Sequence, residues 1–254
     1  MPQVEGIFIE RFAGFGVILE KNYALQIAFS LLEKDPDCQN LEKLLNANWG
    51  QEIIYFDYAK TSGVIISAQG APYAANAVER LRRTGVKSIV SIGTAGSTNP
   101  TIESGSFVLP FAGVRDEGAS QGYLELNVPS LANTDLVQTL TSSFKSLNLK
   151  TLSGVIYTTD KRYKEDAELL RFLNEHAGVV AIDMETAALF ITAMYYNIPA
   201  AAVKIISDCA VSEEEAPFQG VFKEKGVSYA SWVQPLLETA LRGVLYSMKT
   251  DREK

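Results

Sequence analysis

The chain has 254 residues, of which 47% are hydrophobic and 21% are charged, so disordered, collagenous and disulfide-scaffold proteins are excluded. Lys and Arg together number 23 against 30 Asp and Glu, and the formal net charge of −7 argues against a general binder of nucleic acid or anionic membranes. This charge balance still permits a local pocket for a small anionic substrate.

Two kinds of segment alternate along the chain, after helical patterns at residues 22–33 and 38–48. Short runs rich in β-branched residues predict buried strands at residues 63–67, 88–92, 106–109, 154–157, 179–182 and 201–206. Apolar residues at helical spacing predict helices at residues 74–83, 134–147, 184–195 and 228–245. This alternation predicts an α/β layered fold with a largely parallel sheet, in one domain over residues 1–254.

Several classes of site and segment are excluded by what the sequence lacks. Cys38 and Cys209 are too few for a disulfide framework or a zinc site, and we expect both to be reduced thiols. The single histidine, His176, excludes a multi-histidine metal site and is interpreted as structural or exposed. Because no apolar run reaches ~18 residues and residues 1–15 lack a leader pattern, the sequence predicts a cytoplasmic protein without a membrane span.

Small or polar residues follow several predicted strands, at the edge where ligands of open α/β sheets gather. In residues 91–97, two glycines and Thr94 permit close approach to a phosphate or sugar oxygen, although a tight turn explains the same residues. The turn at residues 67–73 is similar but weaker evidence. Residues 157–163 form either one wall of a base pocket or a solvated loop.

Three carboxylates also stand at these strand ends. Asp183 fits a capping role at the start of a helix. Glu185 falls among apolar residues, and a buried carboxylate needs a partner, such as two neighbouring sugar hydroxyls with Met184 packed on the ribose. Asp208 follows an apolar strand, where a raised pKa would let it protonate a leaving heterocycle, although a turn or N-cap role fits equally well.

Taken in order, these segments resemble the nucleoside phosphorylase and nucleosidase superfamily of the uridine and purine nucleoside phosphorylase type. The resemblance covers about residues 60–210 and is closest to a uridine phosphorylase-like branch. The matching pieces are Ile92-Gly-Thr-Ala-Gly96, Gly105 with Phe107-Val-Leu-Pro110, Arg115-Asp-Glu-Gly-Ala-Ser120, Thr158-Thr-Asp160 with Tyr163, Val180-Ala-Ile-Asp-Met-Glu-Thr-Ala-Ala-Leu-Phe190 and Ser207-Asp208.

The resemblance implies a single-domain, three-layer α/β fold around a mixed, partly barrel-like sheet. It also implies a glycosyltransferase that cleaves the N-glycosidic bond of a purine or pyrimidine nucleoside, with inorganic phosphate as co-substrate and ribose 1-phosphate as product. The expected partners are the nucleoside and phosphate, without nucleic acid, membrane, metal or organic cofactor. The expected assembly is a homo-oligomer, either a dimer, a trimer or a hexamer.

Carried over by position, the resemblance assigns a role to each matching residue. Asp208 would be the catalytic acid at the base, while Met184 and Glu185 would bind the ribose. The predicted phosphate-binding residues are Gly93, Thr94 and Arg115. The predicted base-binding residues are Asp160, Arg162, Tyr163 and Ser207.

The sequence departs from phosphorolytic members at two arginines. Ser91 stands where those members have arginine, and residues 14–16 read Gly-Phe-Gly in place of a Gly-Asp-Pro turn with a nearby arginine. Hydrolytic members also lack both arginines but carry glutamates after a first strand, for which Glu5, Glu10 and Glu20 are the candidates. A nucleosidase that uses water and a non-catalytic nucleoside-binding protein are therefore the alternatives to a phosphorylase.

Overall fold

The structure is a computed structural model that describes residues 14–21, 23–46, 51–59, 61–211 and 228–250. Its strands are β1 (Phe15–Leu19), β2 (Cys38–Asn46), β3 (Gln51–Tyr58), β4 (Thr61–Ser67), β5 (Ile89–Ser97), β6 (Phe107–Asp116), β7 (Ser130–Leu131), β8 (Thr151–Thr159), β9 (Val179–Asp183) and β10 (Ala200–Cys209). Its α-helices are α1 (Ala24–Glu33), α2 (Ala71–Arg83), α3 (Thr134–Ser146), α4 (Ala167–Ala177), α5 (Thr186–Tyr195) and α6 (Tyr229–Thr250). Within these ranges, no helix is both long and apolar enough to cross a membrane.

The strands form one mixed sheet that closes on itself over half its width. Strands β5, β9, β8, β6 and β10 follow one another, and β10 pairs again with β5, so these five close into a barrel. From β5 the sheet continues as an open extension through β1, β4, β3 and β2. Parallel and antiparallel pairs both occur, which confirms the predicted mixed, partly barrel-like sheet.

Helices cover the sheet on both faces, and the alternation of side chains along β1 shows why. Val17 and Leu19 belong to an apolar cluster with α1, α3 and α6. Ile18, between them, belongs to another cluster with α2 and α5. Because successive side chains of a strand point to opposite faces, β1 is buried on both and the fold has three layers. The predicted α/β layering is therefore confirmed.

The helix predicted at residues 38–48 is wrong in the part that the structure describes. Residues 38–46 form β2, which pairs antiparallel with β3, and residues 47 and 48 lie outside the described ranges. Leu41 and Leu44 suit one helical face, but they pack against different apolar clusters. An odd spacing places two side chains on opposite faces of a strand, and the partner strand that stabilises this arrangement is invisible to local periodicity.

Four other elements, β1, β3, β7 and α4, were not predicted from local patterns. Strand β1 was not predicted, although all five of its residues are buried. Helix α4 begins after Asp166, whose carboxylate accepts hydrogen bonds from the amides of Glu168 and Leu169, and it ends at Gly178 with φ of 65°. His176 lies in the last turn of this helix with its side chain 61% exposed, as expected for a residue outside any site.

Candidate active site

A cavity of about 240 Å³ opens where the carboxyl ends of three strands meet. Gly96 of β5 pairs with Ile182 of β9 on one side and with Asp208 of β10 on the other. This convergence brings together residues that are far apart in the sequence. The predicted site residues on the cavity wall are Thr94, Arg162, Tyr163, Met184, Glu185, Ser207 and Asp208.

At the inner end of this cavity, Gly93 of β5 lies between Lys204 of β10 and Glu20, the residue that follows β1. The Glu20 amide donates to the carbonyl of Ile92 at 3.0 Å, which places Glu20 beside Gly93, and Lys204 is in register with Gly93 from β10. Because Gly93 has no side chain, Glu20 and Lys204 meet across it as a buried ion pair. A Cβ on Gly93 would lie 1.5 Å from Glu20 Oε2, so the carboxylate fills that space.

Ser91 contributes to the same arrangement. Its hydroxyl donates a hydrogen bond of 2.7 Å to Glu20 Oε1, so a serine–glutamate pair stands where phosphorolytic relatives were expected to carry arginine. Among the described residues, Glu20 Oε2 has no hydrogen-bond partner. Of the three glutamates considered from the sequence, Glu20 follows the first strand of the structure, while Glu5 and Glu10 lie outside the described ranges.

Asp183 holds the start of α5 and also binds the buried lysine. Its Oδ1 accepts a hydrogen bond from the Thr158 hydroxyl at 2.6 Å, and its Oδ2 accepts one from the Thr186 amide at 3.0 Å. Lys204 Nζ lies 2.6 Å from the same Oδ2. Burial lowers the pKa of Lys204, but the carboxylates of Asp183, Glu20 and Glu185 outweigh burial and raise it, so the ammonium stays charged. The capping role considered for Asp183 is thus observed.

Glu185 is a buried carboxyl on the cavity wall, with 5% of its surface exposed. Its Oε1 accepts a hydrogen bond from the Gly70 amide at 2.7 Å, and its Oε2 accepts one from the Met184 amide at 3.2 Å. Oε2 also lies 3.8 Å from Lys204 Nζ. Burial and the neighbouring Glu20 raise the pKa of Glu185 to about 8, so small changes in charge decide whether it is ionised near neutral pH.

At the outer end, Asp208 lines the cavity together with Arg162, Tyr163 and Glu165. The Ser207 hydroxyl donates to Asp208 Oδ1. Burial raises the pKa of Asp208, and the hydrogen bond from Ser207 and the charge of Arg162 only partly oppose this. Glu165 also lines the cavity, and burial together with Asp208 raises its pKa to about 7. Tyr163 is 93% exposed, so its ring is open to solvent rather than packed at the position predicted for a base.

Three predicted ligands do not line the cavity: Gly93, over which the Glu20 carboxylate lies, Arg115 and Asp160. The Arg115 guanidinium donates to the carbonyls of Leu124 at 2.7 Å and Val128 at 2.9 Å, so it holds the segment after β6. Asp160 accepts a hydrogen bond of 3.0 Å from the Gly118 amide and braces the same region. Their predicted roles toward phosphate and base therefore stay predictions, without support from the geometry of one subunit.

With this geometry established, comparison with known proteins places the chain in a family. A sequence model of the Phosphorylase superfamily matches residues 39–242. The chain belongs to the phosphorylase superfamily. This confirms the resemblance drawn from the sequence and the class of enzyme that it implied, a nucleoside phosphorylase-like glycosyltransferase.

One relative is a guanosine phosphorylase of Halorubrum lacusprofundi, which is 30% identical to this chain over 167 residues. The match covers 65% of this chain and 68% of the relative. A uridine phosphorylase of Thermococcus kodakarensis is 29% identical over 169 residues, which cover 60% and 59% of the two chains. The matched segments thus span about two thirds or less of these relatives.

Two solved structures share the fold of this protein. Uridine phosphorylase from Vibrio fischeri superposes with a TM-score of 0.76 at 21% identity, covering 94% of this chain and 93% of the other. AMP nucleosidase from Bacteroides thetaiotaomicron superposes with a TM-score of 0.69 at 19% identity, covering 95% and 90%. At these identities the likeness concerns the fold alone, and it agrees with the three-layer architecture described above.

Sequence reasoning missed three charged residues of the site. Lys204 was included in a predicted strand without comment, although a lysine in the centre of an apolar strand is itself a signal of a buried partner. Lys21 lines the cavity, and burial lowers its pKa despite the charges of Glu185 and Glu20. Glu165 belongs to a polar segment that gave no local indication of its place at the cavity.

The inner end also has the donor set of a cation site. Glu20, Asp183 and Glu185 offer carboxylate oxygens that all lie within 4.8 Å of one another. The Lys204 ammonium contacts Glu20 and Asp183 and approaches Glu185, so it supplies the positive charge that such a cluster requires. The arrangement fits a built-in ammonium better than a divalent metal, because a metal ion at the same oxygens would be repelled by Lys204.

Proposed function

We propose that the chain cleaves the N-glycosidic bond of a purine or pyrimidine nucleoside with phosphate, releasing the free base and ribose 1-phosphate in the cytoplasm. The observation that carries this proposal is the presence of Glu185 and Asp208 on the wall of one cavity. A ribose ligand and an acid for the leaving base are the two protein groups that this reaction needs most. The similarity to a guanosine phosphorylase and a uridine phosphorylase supports the choice of phosphate.

In this mechanism, the ionised Glu185 accepts hydrogen bonds from the ribose 2′ and 3′ hydroxyls, and Met184 packs against the sugar. As the glycosidic bond lengthens, the ribose acquires oxocarbenium character and the base acquires negative charge. Asp208 holds its proton to higher pH than an exposed aspartate, because burial raises its pKa, and donates that proton to the base. The nucleophile attacks the ribose carbon from the side of Thr94.

Hydrolysis is the second candidate, and a specific observation favours it. The space over Gly93, where phosphate was predicted, is filled by the Glu20 carboxylate. A phosphate dianion placed there would face a buried negative charge. A water molecule would instead find an acceptor in Glu20 Oε2, which has no partner among the residues described. Among the described residues that line the cavity, the cationic side chains are Lys21 and Arg162, so a phosphate would have to bind to these two.

One experiment separates these candidates. The purified chain is incubated with inosine, guanosine, adenosine and uridine, with and without inorganic phosphate, and released base and sugar are measured by chromatography. Base release that requires phosphate supports the phosphorylase, and base release without phosphate supports the nucleosidase. Binding detected by calorimetry without base release would identify a nucleoside-binding protein and overturn both enzyme proposals.

We also propose a homo-oligomer, because one subunit supplies few cations to the cavity and leaves Tyr163 exposed. A neighbouring copy could cover this open rim and donate an arginine or an aromatic ring. Light scattering across a range of concentrations tests this proposal, with assembly into a dimer, a trimer or a hexamer as the expected result. A stable monomer with full activity would contradict it.

A further inference from the structure

Lys204 is a charged residue in a place where the fold offers no contact with solvent. It lies in the middle of β10 with 0% of its surface exposed, and its chain neighbours Val203 and Ile205 are also fully buried. Burying an ammonium is costly unless it is paired and hydrogen-bonded. An aliphatic residue would suit this strand better on packing grounds, so the lysine needs another explanation.

The contacts of Lys204 explain why a lysine occupies the centre of this strand. Lys204 Nζ contacts Glu20, which follows β1, and Asp183, which ends β9, at the bottom of the cavity. It also lies 3.8 Å from Oε2 of Glu185, the residue proposed to bind ribose. One ammonium therefore joins three carboxylates from two segments of the chain, Glu20 after β1 and Asp183 with Glu185 between β9 and α5. Of the three, Asp183 and Glu185 reach the cavity wall.

A purely structural ion cluster does not account for the position of Glu185. Asp183 is already anchored by Thr158 and the Thr186 amide, so it would keep its place without the lysine. Glu185 is held by the amides of Gly70 and Met184, but it also faces like charges from Glu20 and Asp183, which Lys204 and Lys21 offset.

The charges around Glu185 also indicate that its ionisation depends on Lys204. Burial, Glu20 and Asp183 all raise the pKa of Glu185, while Lys204 lowers it. Lys21 faces the same group from the end of β1 and is attracted to Glu185 and Glu20. Without Lys204, the inner end of the cavity would hold three carboxyls against one partly exposed lysine, and Glu185 would retain its proton.

We propose that Lys204 is a positioning residue for the ribose site: its ammonium keeps Glu185 directed at the cavity and able to ionise when the nucleoside binds, without itself touching the substrate. This inference rests on the proposed role of Glu185 as the ribose ligand. Lys204 is not part of the cavity wall, so its role does not include shaping the volume of the site.

The test compares Lys204→Gln with Lys204→Arg and the parent, by kcat/KM and by calorimetric nucleoside binding between pH 6 and pH 9.5. In Lys204→Gln, we expect kcat/KM at neutral pH to fall by about tenfold or more, and the ascending limb of its pH profile to move to higher pH. Lys204→Arg retains the charge and should keep the limb near its position in the parent. The matched control is Val203→Ala, which removes packing from the other face of β10 and should lower stability without moving the limb.

The outcomes separate this inference from the proposed function. If the parent binds and cleaves nucleosides while Lys204→Gln keeps the parent profile, the role of Lys204 is overturned and the function stands. If the parent binds nucleosides without cleaving them, the pH dependence of binding tests Lys204 in the same way, and an unchanged dependence overturns it. If the parent binds no nucleoside, both proposals fail.

If Lys204→Gln does not fold, a double variant still tests the proposal. The double variant Lys204→Gln with Glu20→Gln removes one charge of each sign, so the net charge of the cluster is unchanged and folding should be recovered. Its binding profile should lie closer to that of the parent than the profile of the single variant. A profile displaced as far as in the single variant would contradict the electrostatic account.

Discussion

The two ends of the cavity are built in different ways. At the inner end, Glu20, Gly93 and Lys204 are placed by the register of neighbouring strands, and Glu20 and Lys204 form a buried ion pair. At the outer end, Arg162 and Glu165 come from the segment that connects β8 and α4. Strand register fixes positions to a fraction of an ångström, whereas a connecting segment can adjust to what it contacts.

Because the two ends are built differently, substitutions at each end should affect different properties of the protein. A substitution at the inner end changes the packing of buried charges, so it should alter stability together with activity. A substitution at the outer end should alter the treatment of the leaving base and leave stability nearly unchanged. The inner end thus suits the ribose, which every nucleoside shares, and the outer end suits the base, which differs among nucleosides.

The largest expected effect is on activity and comes from Asp208→Asn. Asparagine can keep the hydrogen bond from Ser207 but cannot donate an acidic proton, and general-acid catalysis contributes roughly 100- to 10,000-fold. We therefore expect a loss in that range for inosine, and a smaller one for uridine, whose base leaves through a carbonyl oxygen. The measurement is kcat/KM on both substrates, with the melting temperature as a control for folding. Equal losses on both would indicate a structural role, and no loss would move the acid to another carboxyl on the cavity wall, such as Glu165.

The next effect is on stability and comes from Gly93→Ala at the inner end. The added Cβ would lie 1.5 Å from Glu20 Oε2, so the carboxylate must leave its buried place beside Lys204. Breaking a buried ion pair costs about 3–5 kcal/mol, and denaturant titration should show a loss of this order. Gly122→Ala is the matched control, because a Cβ there meets nothing within 4 Å. If Gly93→Ala were as stable as Gly122→Ala, the row of Glu20, Gly93 and Lys204 would not be rigid.

Glu185→Gln should separate activity from stability within the inner end itself. Glutamine resembles the protonated carboxyl, which the raised pKa of about 8 favours in the free protein near pH 7, so the fold should tolerate it. Its amide cannot supply the negative charge that the ribose hydroxyls would use, and losing a charged hydrogen bond removes on the order of 1.5–3 kcal/mol of transition-state binding. The expected result is a kcat/KM lowered by about 10- to 150-fold at an unchanged melting temperature. Turnover at the parent rate would exclude Glu185 as the ribose ligand.

The sequence predicted the features of the fold and the site that have local patterns, and it did not predict those that depend on pairing between distant strands. The strands and the residues at their carboxyl ends, such as Thr94, Glu185 and Asp208, were recognisable because a buried strand and the small or acidic residues after it are local patterns. The meeting of Glu20 and Lys204, which are 184 positions apart, depends on the pairing of three strands and has no local signature. Residues 38–46 were misassigned for the same reason, since their strand exists only through its pairing with β3.

The smallest expected effect is a dependence of stability on pH that originates at the inner end. The folded protein raises the pKa of Glu185 from 4.5 to about 8, through burial and the charge of Glu20, whereas the unfolded chain keeps the ordinary value. Between these values the folded state binds a proton that the unfolded state has released, so this contribution to stability is complete below pH 4.5 and is lost as the pH rises through about 8. The melting temperature should therefore decline from pH 5 to pH 9 more steeply in the parent than in Glu185→Gln, which has no proton to lose. Scanning calorimetry of both proteins in matched ionic strength measures the difference in slope. Parallel slopes would mean that Glu185 titrates alike in both states and that the inner end does not hold its charge balance as tightly as its geometry implies.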